Sequence, residues 1–298
     1  MTRSATPRGP AANAQLALLL EVAGTPKPGN VDRARDLEGL RFEQFLAGAV
    51  GAREGLELAA GGAPIGEAFE TAVAGMSRQR GGNTQFGCLL NLVPLVRAAS
   101  DTGDAGDANG AGEASVDRET VRAVCESTTV DDAAGFYRAF EHVDVAVDDP
   151  PAEARDLDVR RGAGAVPALR ERGATLWDVM GLSADREPPD GNAREWRRGF
   201  PRAFAAADAM LDDEGPATDR VARAFLDLLA GEPDTLVRTQ HGEAVAREVV
   251  DRAAAVGRDL EAATALAEEF VDRGINPGTT ADVTAAATFV ALERGLPV

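Results

Sequence analysis

The stretch FEQFLAGAVGAREGLELAA at residues 42–60 decides the fold class of this chain. Phe42, Phe45, Leu46 and Ala49 recur at intervals of three and four residues, which places them on one face of a helix. The stretch therefore predicts one continuous helix over residues 42–60.

The same periodicity runs through most of the 298 residues, whereas strand patterns are nearly absent. The chain has one tyrosine, few β-branched alternations and no Asn-Gly turn between alternating runs. We expect an all-α fold. The other predicted helices cover residues 14–23 after an Asn13 cap, a segment from Pro64, a segment capped by Asn83 and kinked at Pro94, and residues 116–126, 131–142, 166–172, 176–180, 192–211, 218–230, 242–256, 260–273 and 280–294.

The expected organisation is a single compact multi-helix domain over residues 13–298. Residues 1–12 are predicted to form a disordered tail, and residues 101–115, DTGDAGDANGAGEAS, a flexible acidic loop because they contain no large apolar residue. Residues 145–161 are charged and contain proline, so we expect them to be irregular. The apolar runs are too short to cross a membrane, and residues 1–12 lack the apolar core of a secretory signal, so a cytoplasmic location is expected.

The charge balance is strongly acidic. Aspartate and glutamate number 49 against 31 lysines and arginines, which gives a net charge of -18. Lys27 is the only lysine among them. Such a composition is typical of proteins from salt-accumulating halophiles, where molar salt screens the self-repulsion. It also argues against nucleic acid as a partner, because no basic patch is available for phosphates.

Metal and thiol chemistry has few candidate residues. The only cysteines are Cys88 and Cys125, and the only histidines are His142 and His241. Their spacing matches neither a disulfide framework nor a zinc site. Any metal is therefore expected to be a hard ion on oxygen ligands, and we expect Mg²⁺.

The segment EVAGTPKPGNVDR at residues 21–33 is the first candidate for binding chemistry. Pro26 and Pro28 restrict the backbone on both sides of Lys27 and so mount its ammonium rigidly. A lone lysine in this position is suited to binding an anion, because its ammonium acts as a point charge. A surface turn with a chance lysine is the alternative.

Three further clusters lie where helices are predicted to begin. RGGNTQFG at residues 80–87 could bind an anion through its glycines and the free amides at the helix start. The alternative is that Asn83 only caps the helix. In NPGTTAD at residues 276–282, Thr279 and Asp282 fit a capping box, or Asp282 holds Mg²⁺. In ESTTVDD at residues 126–132, Asp131 and Asp132 suit either a first helical turn or a metal.

Four segments resemble signatures of the triphosphoribosyl-dephospho-CoA synthase family, in the family's order. TPKPGNVDR at residues 25–33 resembles T-P-K-P-G-x-V-D, and RGGNTQFG resembles G-x-N-T-H-x-G with Gln85 in place of histidine. Gly199-Phe200-Pro201 is similar to the G-F-P element. NPGTTADVTAAATF at residues 276–289 resembles S-P-G-G-S-A-D-L-L-A-A, with Asn276, Thr279 and Thr280 as departures.

The resemblance implies an all-helical transferase that moves the triphosphoribosyl group of ATP to the 2′-hydroxyl of 3′-dephospho-CoA and releases adenine. Alternatives are an N-glycosidic hydrolase, in which water replaces the acceptor, and a non-catalytic nucleotide or CoA-binding regulator. Lys27 is expected to contact phosphate, with Glu21 steadying it. Candidate residues are Lys27, Asp32, Asp36 and Asp132 for catalysis, Gly29, Asn30, Gly82, Asn83, Thr84, Asn276 and Thr279 for nucleotide or phosphate, and Glu21, Asp131 and Asp282 for Mg²⁺.

Overall fold

The computed structural model describes residues 8–106 and 116–298, and within these ranges it contains helices and no strand. This confirms the all-α prediction. Two short 3-10 segments, Ala152–Leu157 and Val159–Ala165, begin in the stretch that was predicted to be irregular, and the second extends past its end at residue 161. The α-helices are α1 Pro10–Ala23, α2 Phe42–Gly51, α3 Arg53–Ala60, α4 Ile65–Met76, α5 Phe86–Gly106, α6 Arg118–Glu126, α7 Val130–Ala139, α8 Val166–Arg172, α9 Leu176–Ala184, α10 Gly191–Arg198, α11 Pro201–Asp212, α12 Ala217–Gly231, α13 Thr235–His241, α14 Glu243–Val256, α15 Leu260–Asp272 and α16 Gly278–Glu293.

Helix α16 forms the centre of the core. It is buried along almost its whole length and packs against α1, α5, α11 and α12. A helix that is apolar on all sides is expected to lie in the interior. The buried hydroxyls of Thr284 and Thr288 donate to the carbonyls of Thr280 and Thr284 at 2.8 and 2.7 Å, so burying them leaves neither hydroxyl without a hydrogen-bond partner. A smaller apolar cluster around Phe225, Leu229 and Phe270 joins α12 to α14 and α15.

The prediction of one helix over residues 42–60 is wrong, because the chain turns between α2 and α3 at Ala52. A Cβ at Gly51 would lie 2.2 Å from the carbonyl oxygen of Gly75, and one at Gly55 would lie 2.3 Å from the amide nitrogen of Ala72. The glycines thus let α2 and α3 approach the backbone of α4 more closely than side chains allow. This tertiary contact sets the break, and the apolar periodicity continues through it.

The prediction of one helix over residues 192–211 is also wrong. Gly199 and Phe200 adopt left-handed conformations with φ of 67° and 55°, and Pro201 starts the new helix α11. Proline lacks the amide that a continuing helix would use, and its φ suits a first helical position. Helix α13 escaped prediction because its seven residues are too few to show a period.

The amino-terminal helix begins earlier than predicted. Helix α1 starts at Pro10, so residues 10–12 are helical, and Asn13 is not its cap. The Asn13 side chain instead donates to Oε1 of Glu293 at 2.7 Å, which ties α1 to α16. The predicted loop is wrong for residues 101–106, which form the end of α5. Residues 1–7 and 107–115 of the predicted tail and loop lie outside the described residues. In the two described ranges, no helix combines the length and the apolar character that a membrane crossing requires.

Candidate functional site

A cavity of about 440 Å³, which we call the first cavity, opens where several helices begin or end. Its polar wall is built from the end of α1, the residues before α5, and the first turns of α10, α13 and α16. The side chains that bring polar atoms to it from these elements include Glu21, Asn30, Asn83, Thr84, Asn192, Thr235, Asn276, Thr279 and Asp282.

Another part of the lining is apolar and aromatic. Phe86, Phe136 and Phe140 line it, with ring centroids 4.8 Å apart for Phe86 and Phe140 and 5.2 Å apart for Phe136 and Phe140. Such a wall suits a planar base or another apolar part of a ligand, since aromatic side chains supply large contact areas.

Lys27 lies behind the polar wall. Its side chain is completely buried, and its ammonium forms an ion pair with Oε1 of Glu21 and donates to Oδ1 of Asn30 at 3.2 Å. The ring of Phe225 lies 5.8 Å from the ammonium nitrogen. Burial raises the pKa of Glu21, and the neighbouring charge of Lys27 opposes that effect. Lys27 therefore presents Glu21 and Asn30 to the first cavity, whereas direct contact between Lys27 and phosphate was expected.

The first and last sequence clusters meet through their asparagines. The amide of Asn30 donates to Oδ1 of Asn276 at 3.0 Å, across 246 residues of sequence. Gly29 makes this approach possible, because its φ is 75° and a Cβ there would lie 2.1 Å from the carbonyl oxygen of Ile275. Gly29 thus shapes the site without lining it.

Asp282 is the carboxylate most clearly aimed into the first cavity. Asn192 donates to its Oδ2 at 2.8 Å, and the thiol of Cys88 lies 3.3 Å from its Oδ1. Gly87 packs against it so closely that a Cβ there would lie 2.0 Å from Oδ2. Burial raises the pKa of Asp282 to about 7, while the hydrogen bonds from Asn192 and Cys88 act in the opposite direction. A carboxyl with this pKa exchanges protons near neutral pH.

The capping box predicted for Thr279 and Asp282 does not form. Pro277 precedes α16, and the orphan amide of Thr280 donates to Oδ2 of Asp234 at 2.7 Å. Because Asp234 takes over the capping, Thr279 and Asp282 are free to face the first cavity.

The second cluster contributes only part of its residues. Asn83 and Thr84 line the first cavity, and Oδ1 of Asn83 accepts from the amide of Phe86 at 3.1 Å, at the start of α5. Gly82 is exposed and lies outside the lining. Gln85, at the family's histidine position, is buried and also lies outside it.

Comparison with known proteins gives a family for this arrangement. The sequence profile of the ATP:dephospho-CoA triphosphoribosyl transferases (CitG) matches residues 7–297. The chain belongs to this family.

A solved structure agrees with the assignment. A chain from Archaeoglobus fulgidus, described as a triphosphoribosyl-dephospho-CoA synthase, is 25% identical in sequence and superposes with a TM-score of 0.65. The match covers 85% of the present chain and 100% of the other. A comparison with curated protein sequences finds no relative. The fold and the family are thus those of a CitG transferase, which is an enzyme.

Four carboxylates predicted for catalysis or metal binding lie outside the first cavity of this transferase. Asp32 accepts from the amides of Lys27 and Ala34 at 3.0 and 2.8 Å and so shapes the loop. Asp36 is exposed and accepts from the amide of Phe42 at the start of α2. Asp131 is exposed and lies 3.5 Å from Arg170. Each of these carboxylates is used by the fold or faces solvent, and their catalytic and metal-binding roles stay predictions.

Asp132 is the fourth of these carboxylates. It completes a capping box with Thr129 at the start of α7, and its Oδ1 accepts from the buried amide of Gly66 at 2.8 Å. It therefore connects α7 to α4, and we propose a structural role for it in place of the predicted catalytic one.

Replacing Asp132 by alanine tests this structural role. The variant loses the cap and leaves the amide of Gly66 buried without its acceptor, so we expect its free energy of unfolding to fall by about 1–3 kcal/mol. Asp131→Ala, one residue away on the exposed side, should change it by less than about 0.5 kcal/mol. Urea unfolding measures both, and turnover of the folded Asp132→Ala protein should match wild type. Lost turnover at unchanged stability would contradict the structural role.

The residues that α10 and α13 bring to the CitG site were not predicted from the sequence. Asn192 holds Asp282, and the hydroxyl of Thr235 accepts from the amide of Gly191 at 2.9 Å. Asp190 caps α10 by accepting from Ala193 at 2.8 Å, and burial raises its pKa. An Asp before a helix was the only available signal, and capping explains it without a site. The Gly199-Phe200-Pro201 element lies outside the first cavity, with Phe200 fully buried.

Proposed function

We propose that this chain transfers the triphosphoribosyl group of ATP to the 2′-hydroxyl of 3′-dephospho-CoA and releases adenine. The observation that carries the proposal is that residues from three of the four family-like segments converge on the first cavity. Asn30 comes from the first segment, Asn83 and Thr84 from the second, and Asp282 from the last, and Glu21 joins them from the end of α1 just before the first segment.

The reaction is a displacement at the anomeric carbon. The bond between ribose C1′ and the adenine nitrogen breaks, and that electron pair leaves with adenine, which takes up a proton. The acceptor oxygen forms the new bond to C1′ and gives up its proton. The site must therefore stabilise an oxocarbenium-like centre and accept a proton from the attacking hydroxyl.

Asp282 is proposed as the general base. The sequence predicted it as a metal ligand, and two observations support a base. Its oxygens already receive hydrogen bonds from Asn192 and Cys88, which fix its orientation. Burial raises its pKa to about 7, and catalysis is most effective when the pKa lies near the working pH.

Glu21 is proposed to face the developing positive charge. Its carboxylate lies in the first cavity wall and is paired with Lys27 from behind. A fixed negative charge in a site shielded from water stabilises an oxocarbenium-like centre more strongly than it would in water.

Mg²⁺ is proposed to accompany the triphosphate. No group of three or more Asp, Glu, His or Cys side chains in the described ranges could hold a metal, so this part of the chain offers no all-protein cage. The ion would instead be held mainly by the phosphates of the substrate, which is the other common arrangement for Mg²⁺. When bound, the ion would neutralise charge on the triphosphate.

The setting proposed for this enzyme is a cytoplasm with high salt. A net charge of -18 would cause strong self-repulsion at low ionic strength, and molar salt screens it. The cytoplasm is where a transferase of this family would meet ATP.

Adenine release with and without acceptor tests the proposal. The purified chain is incubated with ATP and Mg²⁺ in molar KCl, and free adenine is quantified by chromatography. The proposal expects release that depends on 3′-dephospho-CoA. Equal release without acceptor, with free ribose triphosphate, would instead show a hydrolase. Tight nucleotide binding without any release would show a regulator.

A further inference from the structure

A second cavity adjoins the first and is lined by three arginines. The two cavities share Asp148, Asp149, Pro151, Arg186 and Thr239, and the second adds Glu187, Pro188, Arg238, Glu243 and Arg247. Helix α13 connects the two spaces, because Thr235 and Leu236 line the first cavity whereas Arg238 lines the second.

The first cavity is poor in positive charge. Arg186 is the only basic side chain among its described lining residues, which include the carboxylates of Glu21, Asp190 and Asp282. Lys27 is turned away from it and paired with Glu21. Asp190 and Asp234 each accept from one amide in the first turn of α10 and α16, those of Ala193 and Thr280, and so place a carboxylate at each of these helix starts. A polyphosphate needs cationic donors, and this cavity offers one.

The second cavity adds Arg238 and Arg247 to the shared Arg186, and its lining also contains the carboxylates of Asp148, Asp149, Glu187 and Glu243. Arg186 is paired with Asp148, and Nε of Arg247 donates to Glu243 at 2.7 Å. Arg238 is half-buried, forms no ion pair within the described part of the chain, and is fixed by donation from Nη2 to the carbonyl of Pro189 at 2.8 Å. Since a guanidinium carries five N–H donors, Arg238 keeps several for a ligand.

We propose that the second cavity binds the polyphosphate of the substrate, with Arg238 as its main contact and Arg186 and Arg247 beside it. The identity of the substrate rests on the proposed function. The chemistry recognised is a polyphosphate anion, which could be the triphosphate of ATP or the diphosphate of dephospho-CoA. The reacting ribose would then lie in the first cavity near Asp282.

The test is direct binding by calorimetry at constant KCl, with inorganic tripolyphosphate, ATP and dephospho-CoA as separate ligands. Arg238→Gln should lower the affinity for tripolyphosphate and for at least one nucleotide by about 10- to 100-fold, the loss expected for a charged hydrogen-bonding partner. The nucleotide whose affinity falls in Arg238→Gln is the one whose phosphates occupy the second cavity. Arg238→Lys should lose less than Arg238→Gln, because it retains the charge without the planar donor fork.

Arg252→Gln is the matched control. Arg252 lies on α14, as Arg247 does, but it is paired with Glu269 and lines neither cavity, so its variant should bind all three ligands like wild type. Unchanged affinities in Arg238→Gln, or equal losses in Arg252→Gln, would overturn the inference. If the chain never releases adenine while Arg238→Gln still loses tripolyphosphate binding, the proposed function fails and this inference stands.

Discussion

Lys27→Met is expected to lower the free energy of unfolding by about 3–5 kcal/mol, the range measured when one partner of a buried ion pair is removed. Methionine fills a similar volume, so the loss comes from charge and not from a cavity. The carboxylate of Glu21 is almost completely buried and would remain there without its counter-charge. The Glu21 carboxylate is then either destabilised by the full cost of its lost hydration or takes up a proton.

The double variant Glu21→Gln/Lys27→Met separates this effect from general damage. It removes both charges, so most of the lost stability should return, because neutral replacement of a buried ion pair is often tolerated. Urea unfolding at fixed KCl, followed by circular dichroism, measures the three proteins. A loss below about 1 kcal/mol in Lys27→Met, or no recovery in the double variant, would show that the pair is not structurally coupled as described.

Asp282→Asn is expected to reduce kcat/KM by about 10²- to 10⁴-fold, the usual contribution of a general base. The replacement has nearly the same shape, so substrate binding and unfolding should change little. A reduction of less than about tenfold in adenine release would rule out Asp282 as the base.

The pH profile gives this second prediction a signature that a structural role would not produce. A base must be ionised, and burial raises the pKa of Asp282 to about 7. We therefore expect kcat/KM of wild type to rise with pH up to about 7 and then level off, and Asp282→Asn to lack this limb. Cys88→Ala removes a hydrogen bond that lowers the pKa of Asp282, so the rising part of the kcat/KM profile of this variant should move to higher pH.

Local signals predicted much of this fold. Helix α8 occupies Val166–Arg172 as predicted, because a proline near its start and a glycine after its end mark both boundaries. The break at Ala52 was not predictable, since it depends on where α2 and α3 meet α4. The break at Gly199 had a local signal, because a glycine followed two residues later by a proline marks the end of one helix and the start of the next. Apolar periodicity continues through both breaks.

The candidate site was predictable to a similar degree. The family-like segments identified Asn30, Asn83 and Asp282, and Glu21 was predicted from its place beside the first of them; the fold brings all four to one cavity. The burial of Lys27 could not be predicted, because Glu21 and Phe225 approach it only after α1 and α12 have packed. Asp32, Asp36, Asp131 and Asp132 looked like site residues because capping and metal binding use the same carboxylates.

The most direct test of the central claim is mass spectrometry of the acceptor. The chain is incubated in molar KCl with Mg²⁺, 3′-dephospho-CoA and ATP whose ribose is labelled with ¹³C. The account predicts that dephospho-CoA gains the mass of a labelled triphosphoribosyl group, with one adenine released for each acceptor modified. Adenine release with unmodified dephospho-CoA, or an acceptor that gains only phosphate, would contradict it.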